Sequence, residues 1–197
     1  IISGPINYKS KKIKKKNKKK IITFFSSSIN KLGVVNSTCS HYKFLYFIKS
    51  VLDEKKYLVY FKPKYNLSAE RRKNAKLNNI FKNLEKNKNF YIYKKNALDL
   101  INVSDLTISM SFSSTTIEAL ALDRPALYVD FSNSFPNNSF NKIRNFVFKN
   151  EMKLKKKLSY LIMSTKNLKF VKTKIFGLSE INLNSNDKII KQILNEK

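Results

Sequence analysis

The chain has 197 residues, 42% of them hydrophobic, and carries 40 lysine and arginine residues against 13 acids, a formal charge of +27. That length fits one domain with a sizeable core, and no apolar run approaches the roughly 18 residues needed to cross a bilayer. A single cysteine excludes an intrachain disulfide or a cysteine metal cluster and suits a reducing compartment, and three glycines (Gly4, Gly33, Gly177) leave no G-x-G-x-x-G loop and no Walker loop.

Residues 1–20 hold nine lysines and read as a basic linker or disordered arm, with attraction to anionic lipid headgroups as the functional alternative. The chain opens on Ile1, not methionine, so it reads as a piece of a longer protein whose domain here is 21–197. Lys20 to Phe25 is the first strand, and Ser26 to Ser40 is a polar loop in which Gly33 marks a turn. From Ser40 the apolar spacing of His41, Phe44, Leu45, Ile48 and Leu52 predicts a helix. Cys39 and His41 stand two residues apart, so a Cys-His nucleophile pair would need a fold that turns them together. The simpler reading makes Cys39 inert and His41 a cap or first-turn residue.

Tyr57 to Phe61 is the next strand, ending in the basic turn Lys62-Pro63-Lys64. Ser68 is placed to cap a helix running through about Glu85, with Leu77, Ile80, Phe81 and Leu84 on one face and Glu70 in its first turn. Phe90 to Tyr93 is a third strand, and Asn96 is placed to cap a short helix from Ala97 to Val103.

The segment Asp105 to Asp130 carries the densest chemical signal. Leu106 to Ser109 reads as a strand, Met110 to Ser114 as a hydroxyl-rich turn, Thr115 to Leu122 as a helix, and Ala126 to Val129 as a strand after the helix-stopping Asp123-Arg124-Pro125. This is a βαβ unit of a parallel sheet, in which ligands bind beyond the carboxyl ends of the strands. Free amides at the helix start, beside the hydroxyls of Ser113, Ser114, Thr115 and Thr116, suit a phosphate group. Glu118, one turn in, is placed to accept hydrogen bonds from two sugar hydroxyls. The same residues allow a reading without ligand, because Thr115-x-x-Glu118 is also a capping box.

Phe131 to Phe140 shows no strong period, Ile143 to Phe148 and Met152 to Met163 look helical, and Asp187 is placed to cap a last helix from Lys188 to Asn195. Successive βα repeats with right-handed crossovers give an α/β fold, a doubly wound, mostly parallel sheet of about five strands with helices on both faces.

The run SSTTIEALALDRP (Ser113 to Pro125) resembles the S-S-x-x-x-E-A-L-x-L-G-x-P signature of the C-terminal, donor-binding half of bacterial glycosyltransferases with two facing Rossmann-like domains, the GT-B type, which act in surface polysaccharide biosynthesis. The resemblance implies that Ser113, Ser114 and Thr115 line the donor diphosphate and that Glu118 binds the ribose. Asp123 stands where the pattern has glycine, and aspartate tolerates left-handed backbone better than most residues. Tyr57 to Lys64 is similar to the strand ending in K-P-H or K-P-K of such transferases, so Lys62 and Lys64 are expected to neutralise donor phosphate. Lys62 stands out among 36 lysines because the following proline fixes its position.

What the resemblance implies is a cytoplasmic glycosyltransferase fragment, in peripheral contact with the anionic inner face of the membrane and inactive without its N-terminal acceptor domain. It would bind a nucleotide-diphosphate sugar for transfer to a surface polysaccharide or lipopolysaccharide. No Asp-x-Asp pair occurs, so no metal cofactor is expected, and no catalytic base is assigned. The alternatives are a sugar-nucleotide epimerase of the same fold, or a non-enzymatic basic module binding anionic membrane or nucleic acid.

The charge does not favour nucleic acid as a partner. Only four of the basic residues are arginine, the better bidentate reader of phosphates and bases. Ala97 to Phe148 carries five acids against three basic residues, so the motif region is not the basic region.

Overall fold

A computed structural model describes residues 19–29, 37–110, 113–133 and 139–176. Its centre is a six-stranded, all-parallel sheet in the order β3-β2-β1-β4-β5-β6, formed by β1 (Lys20–Phe25), β2 (Tyr57–Lys62), β3 (Phe90–Ile92), β4 (Leu106–Met110), β5 (Ala126–Val129) and β6 (Val147–Phe148). The expected doubly wound α/β architecture is the one found. Helices α1 (Thr38–Leu52), α2 (Leu67–Lys73), α3 (Ala75–Glu85), α4 (Ala97–Val103), α5 (Ser114–Ala121), α6 (Glu151–Met163) and α7 (Thr165–Phe176) connect or flank the strands.

Alternating side chains divide the core between the two sheet faces. Ile22, Phe24, Val59, Phe61, Ile108 and Val129 meet α1, α3 and α6 on one face. Phe25 and Tyr128 meet α4, α5 and α7 on the other, with Phe146. Burial on both sides explains the largely apolar run of β1, whereas β4, equally buried, keeps the polar Thr107 and Ser109 on one of its two faces.

Several local expectations are corrected. The single helix drawn from Ser68 to Glu85 is two helices, because Asn74 takes an extended conformation between them and accepts from the Leu77 amide at 3.0 Å. Asn66, not Ser68, caps α2. Helix α1 starts at Thr38 with Ser37 as its cap, a little before the expected Ser40.

Ile143 to Phe148 is not helical. Asn145 has a positive φ of 61°, which ends a turn, and the chain then pairs along the outer edge of β5 as the unanticipated strand β6. That pairing satisfies β5 through Tyr128 N–H to the Phe146 carbonyl at 2.8 Å and Asp130 N–H to the Phe148 carbonyl at 2.9 Å. Helix α7 was also unanticipated; it packs on α5 through Val171 and Leu168. Residues 1–18, Gly33 and the expected helix from Lys188 to Asn195 lie outside the described residues.

Candidate functional site

The strand order reverses direction between β1 and β4. From β1 the chain moves outward to β2 and β3, and from β4 it moves the other way to β5 and β6. Loops leaving the carboxyl ends of β1 and β4 therefore diverge and leave a crevice, the usual ligand position in open α/β sheets.

One row of side chains crosses the sheet at this edge. Phe25 of β1 is in register with Lys62 of β2 on one side and Ser109 of β4 on the other, and Ser109 is in register with Tyr128 of β5. In-register residues share a face, so Lys62, Phe25, Ser109 and Tyr128 all point to the α4–α5 side. With strands about 4.8 Å apart, Lys62 and Ser109 stand roughly 10 Å from each other.

Helix α5 begins directly above Ser109. Ser113 is its N-cap residue, with extended geometry but no hydrogen bond from its side chain to a backbone amide. The Thr115 hydroxyl lies 2.7 Å from that of Ser113 and 3.1 Å from that of Ser109. Thr115 is thus the second residue of the helix, and the capping box expected from Thr115 and Glu118 is not formed. The amides of the first turn keep no side-chain cap among the described residues, which leaves a set of donors with a partial positive charge facing the crevice. Ser111 and Phe112, in the middle of the turn, lie outside the described residues.

Ser114, Thr115 and Glu118 are neighbours on the helix surface at spacings of three and four. Ser114 is exposed and Ser113, Thr115 and Glu118 are half-buried, so the corner is open. The Glu118 carboxylate makes no hydrogen bond or ion pair among the described residues. Beneath it lies Tyr128, 1% exposed, whose hydroxyl donates to the Ser113 carbonyl at 2.7 Å. Burial drives the ionisation of this phenol well above its ordinary range, with the Glu118 carboxylate adding to the effect and the Thr116 hydroxyl opposing it. The phenol stays protonated as a donor.

The lysines divide. Lys62 belongs to the row, but its ammonium donates to the Lys95 carbonyl at 2.6 Å and leans toward the β3–α4 loop. Lys64 lies past the strand and is exposed; its amide donates to the Ser26 hydroxyl at 3.2 Å. Ser26 also donates its own amide to the Lys62 carbonyl at 3.1 Å, which extends the β1–β2 ladder and fixes the backbone on both sides of Pro63.

Cys39 and His41 do not form a pair. Cys39 is exposed, and the His41 ring is 1% exposed, with Nδ1 3.0 Å from the Ser37 carbonyl and Nε2 3.1 Å from the Ser27 carbonyl. Burial lowers the affinity of the ring for a proton, and the two carbonyl contacts oppose it without overcoming it. His41 therefore ties the loop after β1 to the start of α1.

Sequence reasoning missed three contributors. Ser109 and Tyr128 face the site because of strand register, and Asp130, 3% exposed at the end of β5, accepts from Ser132 at 3.5 Å. Ser132 in turn accepts from Ser40 of α1 at 2.6 Å. Alternation within TISM and ALYV, counted from the buried face, was the signal available for Ser109 and Tyr128.

A family model described as polysaccharide biosynthesis PFTS motif protein matches residues 2–158. No curated protein matches the sequence significantly. Among solved structures, the fold is similar to UDP-GlcNAc 2-epimerase from Methanocaldococcus jannaschii, with TM-score 0.62, 17% identity, and coverage of 90% of this chain and 46% of that one. It is also similar to the wall teichoic acid polymerase TagF, in a crystal soaked with CDPG (TM-score 0.52, 16% identity, 90% and 41% covered). A third is TarM (TM-score 0.52, 16% identity, 95% and 37% covered). The chain spans less than half the length of each of these structures.

Proposed function

The chain belongs to the polysaccharide biosynthesis PFTS motif family, and from that premise we propose that its α/β domain is the donor-binding half of a glycosyltransferase that uses a nucleotide-diphosphate sugar. The observation that carries this reading is the start of α5, which has no side-chain cap among the described residues and lies at the β1–β4 reversal, with the Glu118 carboxylate one turn in and without a hydrogen-bond or ion-pair partner among those residues. In this reading the α5 amides and the hydroxyls of Ser113, Ser114 and Thr115 hold the diphosphate, and Glu118 accepts from the ribose hydroxyls. Lys62 swings from the Lys95 carbonyl to the phosphates, and Lys64 adds positive charge at the rim.

Catalysis by this half would be electrostatic. As the bond from the sugar to the diphosphate breaks, negative charge grows on the leaving oxygen, and fixed donors aimed at it lower the barrier. Lysines and amides supply that charge without a metal ion. The acceptor, a surface polysaccharide or lipopolysaccharide, and the base that activates it belong to a second, N-terminal domain. The domain works on the cytoplasmic side.

A second reading is a sugar-nucleotide epimerase, since the fold is also similar to that of UDP-GlcNAc 2-epimerase. It shares the donor site and differs in needing no acceptor. Calorimetric titration of the 197-residue chain with uridine, cytidine and guanosine diphosphates tests the common core of both. Binding that is lost in Glu118→Ala supports the site, and equal affinity of both proteins for all three would reject it. Turnover of a bound sugar nucleotide in the absence of acceptor separates epimerase from transferase.

A further inference from the structure

The crevice at the carboxyl edge leaves the outer side of α6 unexplained. This helix has two opposed apolar stripes. Leu154, Leu158 and Leu161 are buried against the sheet. On the far side Met152 is 69% exposed, Tyr160 50% and Met163 69%. Met152, Lys156, Tyr160 and Met163 follow one another at spacings of four, four and three, so they form a single stripe along the helix.

Charge is just as one-sided. Lys153 and Lys156 are exposed on or beside the stripe, Lys149 is exposed just before the helix, and none of the three forms an ion pair among the described residues. The acids near α6 sit on its flanks. Glu151 lies within the field of Lys43, and Glu54 pairs with Lys155 at 3.7 Å. No acid lies on the outward stripe.

We propose that the outer stripe of α6 seats this domain on an anionic phospholipid surface. The helix lies in the headgroup layer with Met152, Tyr160 and Met163 below and the lysine ammonium groups at phosphate level. Three features of the stripe point to lipid over protein. Exposed methionine and tyrosine present apolar bodies at the spacing of one helical face, a lysine stem is long enough to cover apolar surface while its head stays in water, and unbalanced positive charge finds a counter-charge at every headgroup of an anionic bilayer. A protein partner would have to supply matching acids at fixed positions. The site lies on a sheet face, apart from the α5 corner, and does not depend on the donor reading.

The chain contains no tryptophan, so Tyr160→Trp places a single reporter on the stripe. With vesicles of phosphatidylglycerol and phosphatidylcholine at physiological salt, its emission shifts to the blue and is quenched by brominated acyl chains; vesicles of phosphatidylcholine alone give a much smaller shift. Co-sedimentation with the mixed vesicles falls at least tenfold in Met152→Ser/Tyr160→Ser/Met163→Ser and in Lys153→Glu/Lys156→Glu, while nucleotide titration is unchanged in both. No emission shift overturns the proposal. So does binding that survives both stripe variants but is lost when Lys14, Lys15 and Lys16 become serine, because the N-terminal lysines would then make the contact. A dimer in sedimentation equilibrium that the triple variant dissolves, with vesicle binding unaffected, assigns the stripe to a second copy and overturns it equally.

Discussion

The Tyr128 hydroxyl, under the sheet edge, donates to the carbonyl of Ser113 at 2.7 Å and so holds the first residue of the α5 corner from below. A strand residue buried in the core therefore sets the angle at which the amides of α5 meet the crevice.

Tyr128→Phe removes that donor and leaves a partly buried carbonyl unpaired, so urea denaturation should show a loss of about 1–2 kcal/mol. Nucleotide affinity should fall a few-fold because the corner loosens. The phenol also shapes the alkaline limb of stability. Its ionisation is raised in the folded state, so its contribution is full below pH 10 and declines as pH rises above 10, by up to about 1.4 kcal/mol per pH unit. The variant should show a shallower alkaline decline, with Tyr65, Tyr60 and Tyr93, whose ionisation burial also raises, contributing to what remains.

Glu118→Ala should weaken binding of the preferred nucleoside diphosphate about tenfold, near 1.4 kcal/mol, by calorimetry. The melting temperature should move little, since the carboxylate holds nothing else among the described residues.

Lys62→Met should reduce affinity for a nucleoside diphosphate by about 1.5–3 kcal/mol, the range of a hydrogen bond to a charged group, and for the monophosphate by less. Adding EDTA should change neither value. Equal losses for both nucleotides would place Lys62 away from the phosphates.

His41 is the only histidine, so it is the side chain expected to lower stability as pH falls from 6.5 toward 5, while Glu151, whose ionisation burial raises, acts in the opposite direction at the lower end of that window. Its folded-state proton affinity is lowered, mainly by burial, which means stability is full above pH 6.5 and falls as pH drops below that value. The slope is at most about 1.4 kcal/mol per unit. His41→Gln should flatten this slope in denaturation curves taken across that window.

Asp123 has a φ of 57°, the left-handed geometry that glycine would adopt there without cost. Its carboxylate pairs with Lys172 of α7 but is largely exposed. Asp123→Gly should therefore be close to neutral, gaining up to about 1 kcal/mol of backbone relief and losing a weak surface pair. Asp123→Val should cost about 1–2 kcal/mol, measured by chemical denaturation.

The central strands were legible because their residues are apolar for local reasons. The Asp123 turn was legible because Asp-Arg-Pro permits few conformations. What could not be read depended on distant partners. Val147 and Phe148 become a strand only because β5 offers an open edge, and Asn74 divides a continuous helical pattern because it can cap one helix as it ends another. Helix α7 carries a readable spacing in Leu168, Val171 and Ile175, hidden among lysines. At the site, Ser113, Ser114, Thr115, Glu118 and Lys62 were named from motifs, and the structure places them along one sheet edge. The common row of Lys62, Ser109 and Tyr128 was invisible, because register between strands is a property of the assembled sheet.

Phe25 and Ser109 are neighbours in the sheet although 84 positions separate them. The seam between β1 and β4 thus closes only after the chain between them has been made and ordered, and such distant pairings are slow to form. Any small molecule seated across the seam meets only the closed form. Its binding free energy then adds directly to the closure equilibrium, so a cell rich in that molecule would protect newly made copies of this chain from opening at their middle.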